Sequence, residues 1–182
     1  MQKKYFCPFE SLYEICLDFG MIDTTNKIIS NLELALQRVS LWKKGNQRIV
    51  FTNGCFDILH LGHIDYLEKA KNLGDKLIVA ANSDASVKLL KGESRPINPL
   101  YARMRLLAAL ACTDAIIFFE EETPIQLITN ILPDILVKGG DYEVEKIVGY
   151  EAVTKNGGKV LTLPFVEGFS TTNTLYQLQE KR

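Results

Sequence analysis

The spacing of apolar residues changes period near residue 47. Before that point Ile28, Ile29, Leu32, Leu36, Val39 and Leu41 recur at helical spacing, which predicts an amphipathic helix over 26–42. Thr25 or Asn26 is placed to cap its start and Gly45 to stop it. A weaker helical pattern covers 9–19, and no strand pattern occurs in 1–46. This part therefore reads as a helical appendage without chemistry of its own. It is expected to pack on the rest of the chain or on a second subunit.

From Arg48 onward, short continuous apolar runs alternate with helical patterns. The runs 49–52, 76–81, 115–119, 135–137 and 160–163 predict five strands. Helices are predicted from about 63 to 73, ended by Gly74, from 99 to 111 opening on Pro99, from Pro124 to about 131, and from near Thr171. Strands apolar throughout and separated by helices indicate a parallel sheet covered on both faces. The expected fold is α/β: a Rossmann-like parallel five-stranded sheet over 47–182, plus the N-terminal helical extension over 1–46. Ligands of such sheets sit beyond the carboxyl ends of the strands, so the loops that follow the strands are the places to search.

Composition narrows the function classes. The chain has 182 residues, a hydrophobic fraction of 47% and a formal net charge of −1, so no broad basic field points to nucleic acid. Cys7, Cys16, Cys55 and Cys112 form neither a CxxC pair nor a zinc spacing, and read as free thiols of a reducing compartment. Lys3 and Lys4 are followed by Pro8, Glu10 and Glu14 rather than by an apolar core, unlike a signal peptide. No apolar run is long enough for a membrane span. The expected location is cytoplasmic.

The loop after the first strand carries the chemistry. It reads Thr52-Asn53-Gly54-Cys55-Phe56-Asp57-Ile58-Leu59-His60-Leu61-Gly62-His63, which is neither GxGxxG nor GxxxxGK[ST]. Gly54 permits close backbone approach to an anion, and Gly62 lets the chain turn tightly into a helix. A helix start offers free N–H groups and the positive end of the dipole. The chain's 2 histidines, His60 and His63, bracket Gly62 there and can donate hydrogen bonds to phosphate oxygens. The competing reading makes them structural groups or metal ligands.

His60-Leu61-Gly62-His63 resembles the HxGH signature of the α/β nucleotidyltransferases, which include cytidylyltransferases, pantetheine-phosphate adenylyltransferase and class I aminoacyl-tRNA synthetases. TNGCFDILHLGH (52–63), ANSDASVKLLKGESRPINPLYARM (81–104), ILPDILVKGGDY (131–142) and STTN (170–173) resemble, more narrowly, the adenylyltransferase domains of the bacterial ADP-heptose pathway. The resemblance covers about 48–178 and leaves the first 46 residues outside. It implies transfer of AMP from ATP, with Mg2+ arriving on the nucleotide, to D-glycero-β-D-manno-heptose 1-phosphate. In many bacteria such a domain is fused to a sugar kinase, so this chain is expected to be a stand-alone form. A homodimer is expected from the apolar stripe of the extension.

The same resemblance assigns roles. His60, His63 and Lys91 would act on the reacting phosphates. Thr52, Asn53, Gly54, Phe56, Gly62, Arg103, Lys138, Gly139, Asp141, Ser170, Thr171 and Thr172 would hold the nucleotide. Asp57, Asn82, Ser83, Asp84, Lys88 and Arg95 would serve the acceptor. Plain readings compete at several positions: a turn cap for Asp57, helix caps for Ser83 and Ser170, solvation for Lys88 and Arg103. Lys88, Lys91 and Arg95 are expected in a flexible loop, KGESRP. Cys55 reads as a packing residue, since direct displacement needs no thiol nucleophile. The STTN segment departs from the family's second signature, because Asn173 and Thr174 stand where a basic residue is usual. No protein metal cage is visible. The alternatives are a cytidylyltransferase acting on glycerol 3-phosphate or a similar alcohol phosphate, and a non-catalytic nucleotide-binding module.

Overall fold

The computed structural model describes residues 23–140, 142–164, 166 and 168–171. The helical pattern over 9–19, Asp141, Thr172 and the body of the last helix lie outside the described residues.

Five parallel strands form the sheet: β1 (Ile49–Gly54), β2 (Lys76–Asn82), β3 (Ala115–Phe119), β4 (Ile135–Gly139) and β5 (Lys159–Leu163). Their spatial order is β3-β2-β1-β4-β5. The direction of winding reverses between β1 and β4, so the switch point lies at the end of β1. Successive side chains alternate between two cores, as a strand requires. Ile49, Phe51, Ile78 and Ala80 face one core together with α1 (Leu32–Lys44), α5 (Ile125–Ile131) and α6 (Tyr150–Lys155). Val50, Leu77, Val79 and Val137 face the other, with α2 (Leu61–Lys71) and α4 (Leu100–Ala109). A further helix, α3 (Asp84–Lys91), follows β2. At the amino ends of the strands, Asp75, Asp134 and Asp114 accept the backbone N–H groups of Arg48, Ile49 and Leu77 at 2.7 Å each.

The extension departs from expectation. Its helix begins at Leu32 rather than near Asn26, and the side chain of Asn31 caps it by accepting the Leu34 N–H at 2.9 Å. Gly45 does close it. Thr25–Lys27 is a single turn of 3₁₀ helix, and Ile28 bridges in parallel to Ile116. Ile29 donates its N–H to the Ile116 carbonyl at 2.8 Å. The β-branched pair thus covers the outer edge of β3 instead of continuing a helix, which blunts an edge that would otherwise be open. Ile29, Ala35 and Val39 are 3%, 1% and 4% exposed within the first core, so the described part of the extension packs directly on the sheet.

Three further differences bear on the site. Helix α2 starts at Leu61 with His60 as its N-cap, two residues before the expected start. Lys88 and Lys91 belong to α3, not to a loop; the turn begins at Gly92, whose φ of 95° suits glycine. The short α6, with a single buried residue, Val153, has no apolar period to announce it.

Candidate active site

A cavity of about 640 Å³ opens at the carboxyl ends of β1, β2 and β4. That is a usual size for a small-molecule site, roughly 300–1,000 Å³. A shallower depression of about 450 Å³ beside Ile125, Gly149, Tyr150 and Lys155 holds neither histidine and none of the residues singled out in the sequence, so the switch-point cavity is the candidate.

The two imidazoles meet there. Their ring centroids are 3.9 Å apart and the planes are inclined by 25°, a stacked pair. His60 reaches this position because, as N-cap, it has an extended backbone (φ −143°, ψ 171°) and folds its ring over the first turn. Gly62 makes the room: a Cβ there would lie 3.1 Å from His60 Nδ1 and 3.4 Å from the Phe169 carbonyl oxygen. Phe56, held at φ 46°, sets its ring 5.3 Å from that of His63. A non-glycine residue with positive φ is uncommon and typically held by its surroundings at functional loops. The buried Nδ1 atoms of His60 and His63 have no hydrogen-bond partner among the described residues. Unsatisfied buried polar atoms are rare in native structures.

Burial lowers the pKa of both imidazoles; for His63 burial and then His60 bring it from 6.5 to about 4. Both rings are therefore neutral near pH 7, each with one N–H to donate. A polyphosphate beside them would favour the protonated form and turn a neutral donor into a charged one.

Cations surround the pair. Lys91, Arg95, Lys138 and Lys146 line the cavity. Lys138 Nζ lies 3.5 Å from Asn53 Oδ1, and burial, with a smaller contribution from Lys91, lowers its pKa. Burial pushes the Cys55 thiol up despite these cations, which keeps it protonated and a poor nucleophile. No cluster of three or more His, Cys, Asp or Glu side chains suited to a metal occurs among the described residues.

Of the residues singled out in the sequence, Asn53, Gly54, Phe56, Asp57, His60, His63, Asn82, Lys91, Arg95, Lys138, Gly139, Ser170 and Thr171 line the cavity. The others described stand elsewhere. Thr52 is fully buried beneath it, its hydroxyl 2.5 Å from that of Tyr66, which in turn donates to the Val137 carbonyl. Ser83 caps α3 by accepting the Ser86 N–H. Lys88 is exposed and lies 3.9 Å from Glu93.

Arg103 neither lines the cavity nor solvates its helix. It is 0% exposed and donates to the carbonyls of Asn98, Cys55 and Asn82 and to Asp84, at 2.6 to 3.0 Å. It ties three loops together, and Asp84 is engaged in holding it rather than in the cavity. Asp57 borders the cavity, but its carboxylate is turned to the 95–98 segment, accepting from Arg95, Ile97 and Asn98.

Sequence reasoning missed Tyr66, Glu122, Thr123, Tyr142, Lys146 and Phe169 among the lining residues. Glu122 and Thr123 follow β3, so the strand-end rule alone could have drawn attention to them. Lys146 sits in a short 3₁₀ turn, Val144–Lys146, with no motif to mark it.

A doubly wound parallel sheet with a histidine pair and lysines at its switch point defines an α/β protein with a candidate anion site. The chain belongs to the cytidylyltransferase-like family, whose model matches residues 51–174. It is 53% identical over 163 residues to bifunctional protein HldE of Escherichia coli O157:H7, covering 90% of this chain and 34% of that protein. Bifunctional protein HldE of Klebsiella pneumoniae (strain 342) is 53% identical over 161 residues, covering 88% and 34%. The chain thus spans about a third of the length of these curated relatives.

A match of 163 residues in 182 necessarily takes in most of the first 46, so the extension is not outside the resemblance as its sequence suggested. Among solved structures, a lipopolysaccharide core biosynthesis protein from Thermoplasma volcanium is 31% identical with a TM-score of 0.52, covering 66% of this chain and 97% of that one. Pantothenate synthetase from Thermus thermophilus, 14% identical with a TM-score of 0.58 over 85% of this chain and 70% of that one, shares the fold.

Proposed function

We propose that the chain transfers the adenylyl group of ATP to D-glycero-β-D-manno-heptose 1-phosphate, giving ADP-heptose and pyrophosphate. The observation that carries this reading is the stacked His60–His63 pair at the start of α2, inside a cavity lined by Lys91, Arg95 and Lys138. The choice of adenine and heptose rests on KGESRPINP and VKGGDY, whose residues Lys91, Arg95, Lys138 and Gly139 line the same cavity. The similarity to bifunctional HldE proteins and to a lipopolysaccharide core biosynthesis protein supports it.

The reaction is a direct displacement. An oxygen of the sugar phosphate attacks the α-phosphorus of ATP, the new P–O bond forms, and the bond to the β-phosphate oxygen breaks. Pyrophosphate leaves with that electron pair. Holding two anions together in line supplies up to about 7–11 kcal/mol. His60, His63 and Lys91 stabilise charge that grows on the α- and β-phosphates. Asn53, Gly54, Phe56, Lys138, Gly139, Ser170 and Thr171 hold the nucleotide on the β4 side; Asn82 and Arg95 face the acceptor on the β2 side. Asp141 and Thr172 belong to the nucleotide group by the same resemblance.

Mg2+ enters as part of the ATP substrate, held by phosphate oxygens and water. No helix among the described residues is long and apolar enough to cross a membrane. We place the reaction in the cytoplasm, carried out by a homodimer. An ATP-dependent assay across heptose, mannose and glycerol phosphates tests the acceptor: turnover is expected to favour the heptose, and preference for glycerol phosphate would reject it.

A further inference from the structure

The carboxylate of Asp57 is 1% exposed, although it borders a cavity rich in cations. Its Oδ2 accepts Arg95 Nε at 2.5 Å, and its Oδ1 accepts the N–H groups of Ile97 at 2.8 Å and Asn98 at 2.9 Å. Its main-chain carbonyl accepts Asn98 Nδ2 at 2.7 Å. With these donors in place and almost no exposed surface, the carboxylate has no capacity left for a substrate. Its negative charge would in any case oppose an approaching phosphate.

Arg95 is the counterpart. Its side chain is 13% exposed and lines the cavity, and it is bound to Asp57 through Nε. Its two terminal nitrogens have no protein partner among the described residues. A guanidinium can be gripped at Nε and still present the fork of its two terminal nitrogens, which a lysine ammonium cannot do.

We infer that Asp57 is a positioning residue that holds Arg95 so that its terminal nitrogens face a phosphate group bound in the cavity. This deepens the adenylyl-transfer reading and rests on it for the identity of the phosphate, not for the anion site itself. Asp57 acts through Arg95, so the two should be strongly non-additive in a double-mutant cycle.

The test is calorimetric binding of inorganic phosphate, the anionic group of the acceptor, to the full chain and to Asp57→Asn, Arg95→Ala and the double variant. Each single change is expected to weaken binding about 10-fold, with the double variant no worse than Arg95→Ala. Additive losses of about 100-fold in the double variant, or wild-type affinity in Arg95→Ala, would overturn the inference. Arg95→Lys leaves Asp57 intact and is expected to bind as weakly as Arg95→Ala. If Asp57→Asn does not fold, wild-type affinity in Arg95→Lys overturns the inference by itself. Turnover of ATP with a sugar 1-phosphate is measured separately. Its absence in the wild type would reject adenylyl transfer, while the phosphate-binding cycle still decides the role of Asp57.

Discussion

His60 and His63 stack at 3.9 Å although neither ring is hydrogen-bonded at Nδ1 among the described residues. Two neutral imidazoles at a helix start form a site for anions, since they add donors to free backbone N–H groups without repelling each other. His63→Ala is expected to cut turnover about 10²-fold or more, the usual loss when one donor to transition-state charge is removed. The circular dichroism spectrum should be unchanged. Near-normal turnover would remove His63 from the reaction.

The same burial has a consequence for stability. His63 titrates at about 4 in the folded chain against 6.5 as the ordinary value. The unfolded chain therefore takes up the proton first as the pH falls. Stability should decline between pH 6.5 and 4, by at most about 3–4 kcal/mol from this group. Urea unfolding at about pH 7 and about pH 4.5 checks this, with His63→Gln expected to flatten the difference. The lowered carboxyl of Asp57 contributes in a separate window: its stabilisation is present above its ordinary pKa of 3.8 and is lost as the pH falls below it. Burial by itself would raise that carboxyl, but the N–H groups of Asn98 and Ile97 together with Arg95 outweigh it.

Gly62→Ala separates activity from stability. Alanine is favoured over glycine in a helix by roughly 0.5–1 kcal/mol. Its Cβ, however, would sit 3.1 Å from His60 Nδ1 and displace that ring. Turnover is expected to drop about tenfold while the melting temperature stays within a few degrees of wild type. Loss of both together would mean that the first turn itself has come apart.

Much of the sheet was legible because five buried runs separated by helices have few other solutions. The histidine pair was legible because a strand, a loop and a helix start put both rings in one window. What was less legible has a common cause. Ile28 and Ile29 stand at helical spacing from Leu32, yet a β-branched pair can equally cover a strand edge, and only the cap at Asn31 decides. Arg103 and Asp57 carry the residue types of ligands and sit beside ligand motifs. Whether such a charge meets a substrate or another loop depends on contacts between residues dozens of positions apart, which one sequence does not display.

Arg103 offers a direct check of that distinction. A residue that merely touched nucleotide would alter affinity and leave folding intact. Here the guanidinium is fully buried and satisfies the carbonyls of Cys55, Asn82 and Asn98. Arg103→Ala leaves these carbonyls without their donor, at a cost of about 1–3 kcal/mol for each one that stays buried. Thermal unfolding should show a large drop in melting temperature. Arg103→Lys should not restore it, because one ammonium cannot reach all the acceptors.

The most direct measurement is pyrophosphate release by the wild-type chain with D-glycero-β-D-manno-heptose 1-phosphate and either ATP or CTP. The expected result is release with ATP, matched one for one by ADP-heptose, and little with CTP. Turnover of CTP with ATP ignored, or no release with either nucleotide at saturation, would contradict adenylyl transfer at the His60–His63 cavity.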